Sequence, residues 1–266
     1  MNLKVGLQEY TVDIKQHKIN CQCEFNLDSQ EVIMFFHGLA CSRESFRNVF
    51  DKQYFPNKSL LLIDFVGFGK SSKSEDFSYS MEDQADVLEE LLSLLPPWQI
   101  HIVAHSMGGA IALLFSQKTL SRICSFTNIE GNLISEDCGL LSRGIASVPY
   151  NEYKTGMFNT QRVEWKGHHQ LRFEQTDPTA VYKSAKSLIQ WSESGKLLAK
   201  FKALTCKKSY FWGEENCSMP ILKKLDFVKT YMIHNSGHGM MTENPKEFYT
   251  KLVEFIDSKV IHLENI

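Results

Sequence analysis

Gln99-Ile100-His101-Ile102-Val103-Ala104-His105-Ser106-Met107-Gly108-Gly109-Ala110-Ile111-Ala112-Leu113-Leu114-Phe115 is the stretch that decides how this chain folds. Its first part, Gln99 to Val103, is an apolar run of strand length. Its last part, Ala110 to Phe115, has the apolar pattern of a helix laid on a sheet. Between them Ser106 is flanked by the small residues Ala104, Gly108 and Gly109. A serine on so sharp a strand-to-helix turn is held at the end of the sheet with its hydroxyl exposed. The helix that follows points backbone N–H groups into the space beside it. That arrangement suits nucleophilic attack on an ester-like carbonyl.

Working outward, Val32-Ile33-Met34-Phe35-Phe36 is solidly apolar and ends in His37-Gly38-Leu39-Ala40. Leu60-Leu61-Leu62-Ile63 is a second such run, ending in Asp64-Phe65-Val66-Gly67-Phe68-Gly69-Lys70-Ser71-Ser72. Continuous apolar strands are buried on both faces, so these predict a parallel sheet between helical layers. Leu7 to Ile14 and Lys18 to Phe25 mix apolar and polar residues, as the strands of an antiparallel hairpin with one wet face do. The stretch from Arg43 to Phe50 reads as helical. Ser80 to Leu95 reads as a helix opened by a Ser80–Asp83 capping box and stopped by Pro96-Pro97. Ile123 to Ile129 gives another strand, closing at Glu130-Gly131-Asn132-Leu133.

From Ile134 to Leu204 the strand rhythm stops. The stretch is rich in aromatics, and Asp177-Pro178 has the form of an N-cap followed by a first helical residue. It reads as a mostly helical insertion. Strands resume at Ser209-Tyr210-Phe211-Trp212 and Val228 to Ile233, and a helix from Asn244-Pro245 closes the chain.

A chain of 266 residues suits one large domain, or a core with a modest insertion. With 43% hydrophobic and 23% charged residues, its composition is that of an ordinary globular protein. A net charge of −2 gives no electrostatic case for nucleic acid or an anionic membrane as partner. No apolar run is long enough to span a bilayer, and the first residues lack the apolar segment of a signal peptide. The expectation is therefore a cytoplasmic protein. Its seven cysteines include no C-x-x-C pair, so neither a zinc knuckle nor a redox motif is expected, and reduced thiols are the simpler reading.

The Ser106 turn resembles the Gly-x-Ser-x-Gly nucleophile elbow of the α/β-hydrolase family, with Ala104 in place of the first glycine. The order of strands and helices resembles that family over nearly the whole chain. The resemblance implies a mostly parallel eight-stranded sheet with helices on both faces. It also implies a helical cap inserted after the sixth strand, with residues 1–133 and 205–266 forming the core and 134–204 the cap.

By the same resemblance Ser106 is the nucleophile and His238, in Asn235-Ser236-Gly237-His238-Gly239, is its base. The Leu39 and Met107 backbone N–H groups form the oxyanion hole, and Asp64 to Ser72 shapes the site. His37, His101, His105 and His234 read as structural. The pair His168-His169 reads as a solvated surface pair, with no third ligand for a metal. The triad acid is open. The family's usual position after the seventh strand holds Asn216, so Glu130 after the sixth strand is the first candidate, with Glu214 and Glu215 as alternatives. No cofactor or metal is implied.

The resulting expectation is a serine hydrolase of the carboxylesterase type, acting on a small or medium ester with an apolar part. Thioesterase, acyltransferase and C–C hydrolase chemistry use the same parts. A ligand-binding homologue without useful turnover is the alternative from another class. The natural substrate and the oligomeric state are not written in these motifs.

Overall fold

A computed structural model describes residues 6–258 apart from 16, 27–28, 53, 96–98 and 168–170. The His168-His169 pair and the Pro96-Pro97 stop thus lie outside the described residues. Eight strands form one sheet: β1 (Gly6–Ile14), β2 (His17–Asn26), β3 (Glu31–Phe36), β4 (Ser59–Ile63), β5 (Gln99–His105), β6 (Ile123–Ile129), β7 (Lys207–Gly213) and β8 (Lys229–Ile233). Their spatial order is β1-β2-β4-β3-β5-β6-β7-β8. The hairpin strand β2 runs antiparallel to both neighbours, and every pairing from β4 to β8 is parallel.

The solid apolar strands divide their side chains between two cores, as a period of two requires. Ile33 and Phe35 of β3, with Leu60, Leu62 and Val103, face a core closed by the 3-10 helix Arg43–Phe50 and the C-terminal helices. Val32, Met34 and Phe36, with Ile100, Ile102 and Ala104, face the other core. That second core is covered by α1 (Met81–Leu94) and α2 (Met107–Ala112). Residues Arg43 to Phe50 are thus helical but wound 3-10. The α1 N-terminus is half of a capping box. Ser80 accepts from the Asp83 N–H, whereas the Asp83 carboxylate turns to Lys15 and Ser78 instead of returning to the Ser80 N–H.

After the short α3 (Gln117–Leu120) and β6 comes the predicted helical stretch. It holds α4 (Leu140–Ala146), α5 (Tyr150–Glu152), which continues through a π-helical turn into α6 (Phe158–Glu164), then α7 (Pro178–Glu193) and α8 (Lys196–Ala203). At α7 the Asp177 carboxylate caps the Thr179 and Ala180 N–H groups, with Pro178 in the first turn. The buried aromatics Tyr153, Phe158 and Phe173 join the same core as α1 and α2.

The segment is tied to the sheet side at several points. The Met81 N–H donates to Ser187 Oγ at 3.0 Å, and Ser184 Oγ donates to the Tyr79 carbonyl at 3.1 Å. The Asp177 N–H donates to the Gly67 carbonyl at 2.8 Å. Gly67 sits at φ +89°, and a Cβ there would lie 2.2 Å from the Ala180 methyl, so glycine lets the β4 loop and α7 touch. The chain ends in α9 (Met240–Glu243) and α10 (Pro245–Asp257), the latter capped by Asn244. Among the described residues, no helix is long and apolar enough to cross a membrane.

Candidate active site

Ser106 joins β5 to α2 with φ 51° and ψ −119°, a conformation that L-residues rarely adopt. The crowding around it explains why small residues occupy the turn. A Cβ on Gly108 would come within 2.8 Å of the Phe36 and His37 carbonyl oxygens. One on Gly109 would lie 3.3 Å from the Gly131 Cα. The sharp turn is possible only because the loops after β3, β5 and β6 approach at van der Waals contact.

The loop after β3 lies against this turn. A Cβ on Gly38 would be 2.9 Å from His105 Nδ1 and 3.2 Å from Ser106 Cβ. Two backbone donors remain available beside the serine, because neither the Leu39 nor the Met107 N–H donates to a protein acceptor among the described residues. The loop is held from below. His37 Nδ1 donates to the Gly38 carbonyl at 2.8 Å, and its Nε2 accepts from the Phe65 N–H at 3.1 Å. Burial pushes the His37 pKa down to about 4, so the ring is a neutral strut.

Asp64, at the end of β4, organises the next layer. It takes the Arg43 guanidinium, the Arg43 N–H at 2.7 Å and the Lys70 N–H at 3.0 Å. Gly69 is at φ +54°, where any Cβ would strike this carboxylate at 2.2 Å.

On the other side of the serine, His238 Nδ1 donates to Glu130 Oε2 at 2.7 Å. Glu130 follows β6 with φ 41°, and its carboxylate is buried. That turn is shaped by Asn128, whose Oδ1 accepts the Gly131 N–H at 2.6 Å. The carboxylate also accepts the Gly213 N–H at 2.8 Å and both of its oxygens are bonded by Asn216 Nδ2, at 3.0 and 2.9 Å. Asn216, at the usual acid position after β7, therefore holds Glu130 instead of touching the histidine. Glu214 is turned to the Asn235 N–H at 2.9 Å, and Glu215 lies against Gly237. Neither of these two carboxylates bonds the His238 ring among the described residues.

With Nδ1 donating to Glu130, Nε2 is the ring nitrogen left for a reaction partner. About half of the His238 side chain, 48%, is exposed. Burial acts to push its imidazolium pKa down. The hydrogen bond and charge of Glu130, with Glu243 and Asp137 behind them, outweigh it, and the net shift is upward. No hydrogen bond links the Ser106 hydroxyl to His238 among the described residues. The two side chains line one cavity of about 340 Å³, together with Leu39, Asn132, Leu141 and Leu188.

His105 serves the same loop from beneath. Its Nε2 donates to the His238 carbonyl at 3.0 Å, and the two rings lie 4.4 Å apart. Burial holds its pKa well below the ordinary histidine value, so it is neutral. Glu243 completes the support by accepting the Gly237 N–H at 2.7 Å. His101 is satisfied by Ser125 and Glu31, both at 2.7 Å, and His234 by Glu247 at 2.7 Å. The support roles of Asn216, His105 and Glu243 have no local sequence signature, since their partners lie on other loops. Among the described residues no group of three or more His, Cys, Asp or Glu side chains is arranged to hold a metal ion.

A family model described as alpha/beta hydrolase fold matches residues 31–146, the span from β3 through the Ser106 turn to α4. Solved structures extend the likeness over the sheet as a whole. A bromoperoxidase from Bacillus anthracis superposes with a TM-score of 0.77 at 16% identity, covering 94% of this chain and 100% of that one. The protein has the α/β-hydrolase fold. An esterase from Thermogutta terrifontis shares it with a TM-score of 0.72 at 18% identity, over 94% of this chain and 98% of that one.

At the level of sequence this chain is 36% identical over 104 residues to an Arabidopsis thaliana protein named probable lysophospholipase BODYGUARD 4. It is 32% identical over 89 residues to lipase 3 of a Moraxella species. These matches cover 38% and 33% of this chain, but only 24% and 28% of the relatives' own length.

Proposed function

We propose that this α/β-hydrolase cleaves a small or medium carboxylic ester with an apolar part, through an acyl-enzyme on Ser106. The observation that carries this reading is the arrangement around one cavity. A serine strained onto a strand-to-helix turn shares that cavity with a histidine whose Nδ1 is bonded to a buried glutamate. The lipase, esterase and lysophospholipase names among the relatives support ester chemistry as the reaction class.

In the proposed mechanism His238 Nε2 takes the Ser106 proton as the hydroxyl attacks the ester carbonyl. Glu130 fixes the Nδ1–H tautomer and stabilises the imidazolium that forms. The developing oxyanion accepts from the Leu39 and Met107 N–H groups, which are preorganised because glycine and alanine neighbours let the two loops meet. The imidazolium returns its proton to the leaving alkoxide, and the alcohol departs. Water, deprotonated by the same histidine, then attacks the acyl carbonyl and releases the acid.

Residues 134–204 act as a cap over the core formed by 1–133 and 205–266. Leu141, Leu171 and Leu188 give the cavity an apolar wall that would receive the hydrocarbon part of the ester. The Arg172 N–H, bonded to the Ala40 carbonyl at 2.7 Å, ties this cap to the oxyanion loop. Labelling with a fluorophosphonate probe tests the reading. A single adduct on Ser106, lost in Ser106→Ala, is expected; a folded protein that leaves Ser106 unlabelled refutes it.

A further inference from the structure

The Leu39 N–H shares a planar trans peptide unit with the Gly38 carbonyl, so the two point in opposite directions. Fixing that carbonyl therefore sets the direction of the N–H. Two donors hold it: His37 Nδ1 at 2.8 Å and the Cys41 N–H at 3.2 Å. The Cys41 N–H in turn belongs to the same peptide unit as the Ala40 carbonyl. That carbonyl accepts the Arg172 N–H at 2.7 Å. Main-chain hydrogen bonds thus run in one direction from the 134–204 segment towards the cavity, through two peptide units, and end at the Leu39 N–H.

The turn needs holding. Ala40 sits at φ 55°, a left-handed setting in which a residue other than glycine is strained, and it is fully buried. Strain of this kind persists only where the surroundings fix it. Here the bonds on either side of the Ala40–Cys41 peptide do so. The segment that supplies the outer bond is itself anchored. Phe173 is fully buried, the Gln175 N–H donates to the Arg172 carbonyl at 2.8 Å, and the Asp177 N–H donates to the Gly67 carbonyl at 2.8 Å. Ser42 Oγ, just past the turn, donates to Gln175 Oε1 at 3.4 Å, a second and longer tie between the same two segments. Leu39, Cys41 and Leu171 all line the cavity, so this junction is part of its wall.

We infer that the Arg172 main-chain N–H is a positioning group for the oxyanion hole, holding the Leu39 N–H in place through the Ala40–Cys41 and Gly38–Leu39 peptides. The inference rests on the ester-hydrolase reading and deepens it: the cap sets transition-state stabilisation as well as bounding the substrate. Hydrogen bonds in a row polarise one another, so each bond from Arg172 inward makes the next N–H a better donor. Negative charge developing on the substrate oxygen strengthens the whole row, whereas a neutral carbonyl in the same place gains little. Loss of the Arg172 donor therefore lowers kcat more than it raises KM.

An amide-to-ester exchange deletes this donor alone. Incorporating 3-phenyllactic acid at position 172 puts an ester oxygen where the N–H stood, and Arg172→Phe is the matched chain that keeps the N–H. Relative to Arg172→Phe, the ester chain is expected to lose roughly tenfold in kcat on p-nitrophenyl butyrate, less than the about 10²- to 10³-fold of removing an oxyanion donor outright. KM is expected to change by less than about twofold. n-Butylboronic acid, whose boron becomes tetrahedral on taking the Ser106 oxygen, is expected to bind roughly tenfold more weakly, with binding of the product butyrate unchanged. An unchanged kcat, or a loss confined to KM, overturns the positioning role.

Should the ester chain not fold, hydrogen exchange in the unaltered protein decides. Formation of the boronate adduct is expected to slow exchange of the Arg172 and Cys41 amides by at least about fivefold. Unchanged rates in the formed adduct overturn the role. If p-nitrophenyl butyrate is not hydrolysed and no adduct forms on Ser106, the ester-hydrolase reading fails and the positioning role falls with it. An active enzyme indifferent to the exchange at position 172 defeats the positioning role alone.

Discussion

Replacing Glu130 by glutamine exchanges one carboxylate oxygen for an amide nitrogen in a site where all the protein partners are donors. His238 Nδ1, the Gly213 N–H and Asn216 Nδ2 all point hydrogens at this side chain. Glutamine can satisfy Gly213 and Asn216 with its single oxygen, but its amide then faces Nδ1 with a donor. The imidazole must adopt the opposite tautomer, which places its proton on Nε2 and removes the lone pair that Ser106 requires. The negative charge that stabilises the imidazolium is lost in the same step.

A tautomer reversal of this kind in a serine triad costs about 10⁴ in kcat. Here a loss of roughly 10³- to 10⁴-fold is expected, equivalent to about 4–5.5 kcal/mol of barrier. The assay is steady-state hydrolysis of p-nitrophenyl butyrate, with circular dichroism to establish that the variant is folded. The pH profile gives an independent sign. His238 must be neutral to act as base, and Glu130 holds its pKa above the ordinary value against burial. Parent activity therefore rises with pH through a midpoint above about 6.5. Without the carboxylate, burial dominates and the midpoint moves to lower pH. A folded Glu130→Gln variant that keeps more than a tenth of parent kcat, or whose midpoint moves upward, refutes the assignment.

The same geometry sets three further expectations. Ser106→Gly abolishes turnover yet raises Tm by roughly 2–4 °C. It relieves a backbone strain of about 1–3 kcal/mol at φ 51°, partly offset by about 1 kcal/mol of glycine entropy; an unchanged or lowered Tm would contradict strain at the turn. Asn216→Ala removes the donor that grips both Glu130 oxygens and should lower kcat/KM by about tenfold at unchanged burst stoichiometry with p-nitrophenyl butyrate; parent-like kinetics would show that Glu130 needs no such grip. In Gly38→Ala the new methyl group meets His105 and Ser106, displacing the Leu39 N–H. A kcat loss of about 10²-fold with little change in KM is expected, and a rise in KM alone would argue against an oxyanion role.

Much of the fold is legible in local pattern. The solid runs at Val32–Phe36 and Leu60–Ile63 specify buried parallel strands because neither face offers polar residues to water. The small residues around Ser106 specify a sharp turn because no larger side chain fits between the loops. Helix ends at Ser80, Asp177 and Asn244 are equally local, each being a side chain that reaches N–H groups two or three residues on. Two local signals misled: His234, read as packing within a strand, lies just past β8 and is exposed, and the second half of the Ser80–Asp83 capping box does not form. Asp83 had a better partner in Lys15, a residue 68 positions away that no helix-end pattern contains.

By itself, then, the sequence determined the individual strands, the turn at Ser106 and the glycine-flanked loop of His238, since all three follow from forces acting within a dozen residues. Which carboxylate meets the histidine was decided only by the tertiary structure. Glu130, Glu214 and Glu215 are alike in sequence terms, each an acid just past a strand. The choice among them depends on the positive φ of Glu130, on the Asn128 side chain that bends the chain at Gly131, and on Gly213 and Asn216 presenting donors across the end of β7. Glu130 and His238 are 108 residues apart, and their hydrogen bond exists only because parallel pairing brings the ends of β6, β7 and β8 to one edge of the sheet.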